Sequence, residues 1–92
     1  MNDAVLQFIK QYLLGELNDA VRQRLEKQML IDNALYIELL ITEDGLIDQY
    51  VSGELTAYEQ ERFERHFLAT FERREKLMFA RVLQRYIAKA IG

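Results

Sequence analysis

A single imidazole stands in this chain, His66, inside the stretch GELTAYEQERFERHFLATFERRE at residues 53–75. One histidine can shuttle a proton or bind a metal, but each job needs neighbours of the right kind. A structural zinc asks for four ligands, typically thiolates and imidazoles, held as a tetrahedron. The chain has no cysteine, which removes thiolate ligands, thiol nucleophiles and disulfides together. Ser52 is its one serine, and no glycine-rich phosphate loop occurs, so carboxylates are the remaining acid–base groups. Glu43 and Asp44 in "TED", with Asp48 close behind, gather three of them, without the D-x-D-x-D-G pattern of a calcium loop. Such a cluster reads as solvated helix surface. The expectation is that there is no catalytic residue, no cofactor-binding residue and no metal ligand set, and that the protein is not an enzyme. His66 then reads as a structural residue at a helix end, where partial positive charge suits the dipole.

The elements that would position these residues follow from a repeat. Residues 11–42 and 49–80 align at an offset of 38 with nine identities in thirty-two positions, among them Tyr12/Tyr50, Gly15/Gly53, Glu16/Glu54, Leu17/Leu55 and Glu26/Glu64. Each copy carries an apolar-periodic helix closed by a glycine. The next helix starts at a capping residue, Asn18 in one copy and Thr56 in the other, where Glu59 completes a capping box. Val21, Leu25 and Met29, and likewise Phe63 and Phe67, form one apolar stripe per helix. Tyr12 and Tyr50 read as packing beside the turns. A third helix begins after Asp32 and after Thr70, both able to cap. The first of these should run through Gly45 to Ser52, with a kink or break at Gly45 allowed for, since glycine costs about 1 kcal/mol there relative to alanine.

The last helix, about residues 71–91, has Met78, Val82 and Tyr86 on one row and Phe79, Leu83, Ile87 and Ile91 on the next. Two readings of that wide apolar face stand side by side: a surface for a partner or a second copy, or the central helix around which the others pack. Met78, Val82, Arg85, Tyr86 and Lys89 are the candidate partner-binding residues. The fold class expected is all-α, a small bundle of about five helices built from two similar helical units, approximately 8–45 and 46–83, in one all-helical domain over residues 1–92.

Half of the 92 residues are apolar and there is no proline, which fits one helical core. Net charge is −3, unevenly spread. Residues 1–61 hold four basic against twelve acidic side chains, whereas residues 62–92 hold eight basic against three acidic. The two halves either neutralise each other or offer an acidic surface and a basic end to different partners. Nucleic acid is not expected as a partner, because Glu61, Glu64, Glu72 and Glu75 interrupt the basic residues from 62 to 76, and Phe63 and Phe67 sit at core spacing. The longest apolar runs fall far short of the ~18 residues of a membrane span, and the N-terminus lacks a basic signal flank. A cytoplasmic protein, or the cytosolic part of a membrane-anchored one, is the expectation.

The stretch DQYVSGELTAYEQERFERHFLATFERREKL resembles the zinc-binding anti-sigma domains of bacteria, in which a "YLDGEL"-like turn precedes an acidic helix and an H-x3-C-x2-C motif. Tyr50, Gly53, Glu54 and Leu55 match the turn and His66 matches the histidine. Thr70 and Arg73 stand at the cysteine positions, and Gln28, Asp32 and Leu35 occupy the three places in the first copy, so the resemblance is to a zinc-free member. In place of the metal, Phe67, Leu68, Phe71, Leu77, the Thr70 cap and an i,i+4 pair of Glu72 with Lys76 should hold the junction. The resemblance implies a non-enzymatic regulator that binds a sigma factor of the extracytoplasmic-function type. The alternative is a helical adaptor or oligomerisation domain of a larger signalling protein, with self-association through the last helix.

Overall fold

A computed structural model describes residues 3–91, and among them every regular element is helical. The chain runs α1 (Asp3–Leu13), α2 (Asp19–Ile31), α3 (Asn33–Val51), α4 (Ala57–Arg65), a single 3₁₀ turn at Phe67–Ala69, and α5 (Phe71–Ile91).

Local chemistry sets nearly every boundary. After α1, Gly15 takes φ 73°, its N–H donates to the Tyr12 carbonyl at 3.1 Å, and the Glu16 N–H donates to the Gln11 carbonyl at 2.9 Å. After α3, Gly53 takes φ 72°, with Gly53 N–H to Tyr50 O at 3.2 Å and Glu54 N–H to Gln49 O at 2.8 Å. Both are left-handed Schellman closures, which return carbonyls of the last turn to hydrogen bonding at no Cβ cost. They occur at equivalent positions of the sequence repeat.

The helix starts are equally specific. Asn18 Oδ1 accepts from the Val21 N–H at 3.0 Å, and Thr56 and Glu59 close a reciprocal capping box at 3.1 and 3.0 Å. Asp32 alone separates α2 from α3: its N–H donates to Gln28 O at 2.9 Å while its carboxylate accepts from the Leu35 N–H at 3.2 Å. One residue thus ends one helix and starts the next. Thr70 Oγ1 accepts from the Arg73 N–H at 3.3 Å at the head of α5. Gly45 leaves α3 unbroken.

The hub of the bundle is α3, which touches α1, α2 and α5. Leu39, Leu46 and Ile47 from α3 join Ile9, Leu13, Leu14, Phe63, Phe67 and Leu77 in one buried cluster. Phe63 is stacked between Tyr50 at 4.4 Å and Phe67 at 4.5 Å between centroids, spacings at which aromatic pairs gain beyond their buried area. The reading of α5 as the central helix is therefore incorrect. Leu77 is the buried residue of α5, and every residue from Arg81 to Ile91 is exposed. The overhanging helix draws the molecule out to 46 × 27 × 26 Å with a radius of gyration of 14.3 Å, against about 12 Å for a compact chain of this length.

Candidate interaction surface

The residues singled out for metal chemistry prove to be joints. His66 is the C-cap of α4, its N–H donating to Arg62 O at 2.8 Å. Its imidazole covers Gly15 so closely that a Cβ built there would stand 2.6 Å from His66 Cγ. Arg62 adds a second tie, donating from Nε to Leu14 O at 3.0 Å and from an Nη to Gly15 O at 2.6 Å. Lys10 reaches Glu59 at 2.6 Å, and the ammonium, aided by the Thr56 N–H, holds the Glu59 carboxyl below its ordinary range. The end of α1 is thus fastened to α4 by an arginine, a lysine and a histidine together.

Tyr12 and Tyr50 go further than packing beside their turns. The Tyr12 hydroxyl donates to Glu26 at 3.0 Å and the Tyr50 hydroxyl to Glu64 at 2.7 Å, bridging equivalent repeat positions on successive helices. Both phenols are harder to ionise than usual. Burial is the chief cause at Tyr12, followed by Glu26, and the Glu64 hydrogen bond is the chief cause at Tyr50. The signal was present in the sequence, because tyrosine and glutamate recur together at the same offset.

Glu43 corrects the reading of "TED" as solvated surface. It is 7% exposed, and its two oxygens are taken by Arg73 (3.2 and 3.3 Å) and Lys76 (3.1 Å). Arg73 also lies 4.9 Å over the Phe67 ring. Lys76 therefore pairs with Glu43 on α3 and not with Glu72, because a carboxylate already leaving water gains more from a cation than an exposed one does. Phe71, expected to help hold this junction, is 62% exposed. Among the described residues no group of three or more His, Asp or Glu side chains is placed to hold a metal ion.

Large apolar side chains are left open at the end of α2 and on the outer side of α3 (Leu30, Ile31, Tyr36, Ile37 and Ile41) and, in greater number, on α5. Met78 is 66%, Phe79 68% and Tyr86 72% exposed, and Val82, Leu83, Ile87 and Ile91 are exposed beside them. The candidates Met78, Val82 and Arg85 line one shallow outer groove with Arg74 and Arg81; Tyr86 and Lys89 continue the same helix in solvent. On the other side, a groove of about 690 Å³ separates α5 from α3, floored by Ile47, Phe79, Ala80 and Leu83 and rimmed by Asp44, Asp48, Glu72 and Glu75. The helical spacing gives both apolar rows of α5, including Phe79 and Leu83 on the floor of this groove, but not the groove itself, since Asp44 and Asp48 reach it from a helix about thirty residues earlier.

Comparison with known proteins gives no match among protein families, curated proteins or solved structures. Among the described residues no helix is long and apolar enough to cross a membrane.

Proposed function

We propose that the chain is a non-enzymatic regulatory interaction module that takes a helical protein partner on α5. The observation that carries this reading is the free half of α5. From residue 78 to residue 91 it presents seven large apolar side chains, all exposed, with α3 bordering Phe79, Leu83 and Ile87 along one side. An isolated helix of this length is marginal in water, and patches of this kind serve binding. An amphipathic helix laid against a second helix or into a groove is the recognition mode that fits.

The resemblance to zinc-free anti-sigma domains points to a sigma factor of the extracytoplasmic-function type as the partner. Beyond the buried and paired Glu43, α3 carries Glu38, Asp44 and Asp48 and no basic residue, and these would complement a basic DNA-reading surface. In the decisive experiment, purified sigma factors of this type are titrated with the full chain and binding is followed by calorimetry. A stoichiometric complex lost in the Val82→Asp/Tyr86→Asp variant is the expected result. Failure of every such sigma factor to bind removes that partner class, and binding indifferent to the double substitution removes α5 as the docking face.

A further inference from the structure

The free half of α5 carries a charge pattern as well as an apolar face. From residue 76 to residue 91 it holds Lys76, Arg81, Arg85 and Lys89 and no carboxylate. Its first two turns, by contrast, lie at an acidic corner where Glu72 and Glu75 meet Asp44 and Asp48 across the groove. Glu43 absorbs Arg73 and Lys76. Among the described residues none of Glu72, Glu75, Asp44, Asp48, Arg85 or Lys89 is held in an ion pair. Arg74, on the outer face, is also outside these ion pairs, so the head of the seam sets four unpaired carboxylates, two from α5 and two from α3, against one cation, while the tail sets Arg85 and Lys89 against none.

We propose that the occupant of this surface is the α5 helix of a second copy, packed antiparallel in a two-fold dimer. With the symmetry axis crossing between Ala80 and Arg81, Glu75 of each copy stands beside Arg85 of the other and Glu72 opposite Lys89. Phe79 then meets Val82, and Met78 meets Leu83, in one seam. The two contacts are identical by symmetry, so complementarity is gained twice. A parallel pair would instead align head with head and tail with tail, setting like charges together, which selects against it. Antiparallel helices also set opposite dipole ends side by side. Each copy's seam covers the other's apolar face, and α3 flanks each α5, giving a four-helix layer. The inference rests on α5 being a docking surface and specifies what docks.

The test is charge-swap complementation by analytical ultracentrifugation of the full chain. The native protein should sediment as a concentration-dependent dimer. Glu72→Lys/Glu75→Lys places base against base at both contacts, and Arg85→Glu/Lys89→Glu places acid against acid; each alone should weaken self-association about tenfold or more. Mixed in equal amounts, the two variants restore opposite charges at both contacts and should form a heterodimer. Circular dichroism of each variant confirms that it is folded, and Leu83→Asp provides a monomer that depends on the seam and not on the swap. A native chain that stays monomeric at all concentrations overturns the inference, as does a dimer indifferent to the swaps or a mixture that fails to reassociate. A monomer that nonetheless binds a sigma factor leaves the interaction module standing and removes self-docking alone; a swap-sensitive dimer that binds no sigma factor leaves self-docking on α5 standing and removes the sigma-factor partner alone.

Discussion

Three glycines give three different outcomes on replacement by alanine, and the differences follow from backbone angle and available space. Gly45 lies in the middle of α3, exposed, with nothing within 4 Å of where a Cβ would stand. Gly45→Ala should stabilise the fold by about 1 kcal/mol, the helix-propensity difference, or about 4–8 °C in a domain of this size. Gly53 sits at φ 72° with open space around it, so alanine there meets only the left-handed penalty of about 1–2 kcal/mol, partly offset by the stiffer unfolded chain. Gly15 has almost the same φ, 73°, but its added Cβ would also meet His66 Cγ and Nδ1 at 2.6 Å and His66 Cβ at 3.1 Å. Turning the ring away relieves the first two contacts and not the third, so an overpacking cost of about 1–3 kcal/mol adds to the backbone one. Urea denaturation of the three variants measures the order directly. The double variant Gly15→Ala/His66→Ala removes the two ring contacts and keeps the Cβ one, so it should recover part of the steric cost while leaving the rest and the backbone part, read as a coupling energy in a double-mutant cycle. Equal losses at Gly15 and Gly53, or no coupling to His66, would refute the packing argument.

Phe67→Ala should cost about 3–5 kcal/mol, because the ring is fully buried between Phe63 and the Arg73 guanidinium; a loss below about 1 kcal/mol in chemical denaturation would remove it from the core. Glu43→Gln leaves Arg73 and Lys76 facing a neutral amide and should cost about 1–3 kcal/mol, seen as a lower urea midpoint with an unchanged slope. The tyrosines set an alkaline limit. Their folded-state ionisation lies above the ordinary value of about 10, so their contribution is complete below that pH and falls away as pH rises through the folded value. Tyr12→Phe and Tyr50→Phe should each lose about 1 kcal/mol at neutral pH and flatten the alkaline decline, read from thermal melts between neutrality and high pH. Glu59 works at the other end. Its lowered ionisation contributes above the ordinary value, and that contribution is lost as pH falls through the folded one, so Lys10→Met should flatten the acid limb of the same profile.

Much of the fold was legible because helix ends announce themselves locally. Asn18, Asp32, Thr56 and Thr70 each accept the backbone N–H three residues on, and the two repeat glycines adopt the left-handed conformation their sequence position called for. Continuity through Gly45 was legible from the apolar spacing of Leu46, Ile47, Tyr50 and Val51. The hub of the bundle was not. A wide apolar face looks the same in sequence whether its own chain or another covers it, so α5 could be read as centre or as surface. Glu43 was misread for a related reason: its burial depends on cations thirty residues later, and no local pattern announces a long-range partner. The Tyr–Glu bridges lay in plain view as paired identities, but their role became visible only once successive helices were placed side by side.

The unbroken course of α3 bears on how the molecule could come apart. The first copy of the sequence repeat ends within this helix and the second begins within it, so one continuous column of backbone hydrogen bonds spans the seam. A pair of modules joined by a loop can open one at a time, as terminal repeats of a solenoid do. Here, fraying either copy from its inner end would strip Leu39, Leu46 or Ile47 from the same cluster that Phe63, Phe67 and Ile9 share. The stretches on either side of Gly45 therefore share one core, and proteolytic clipping should find its first footholds at the outer ends of α1 and α5 before it finds any inside α3.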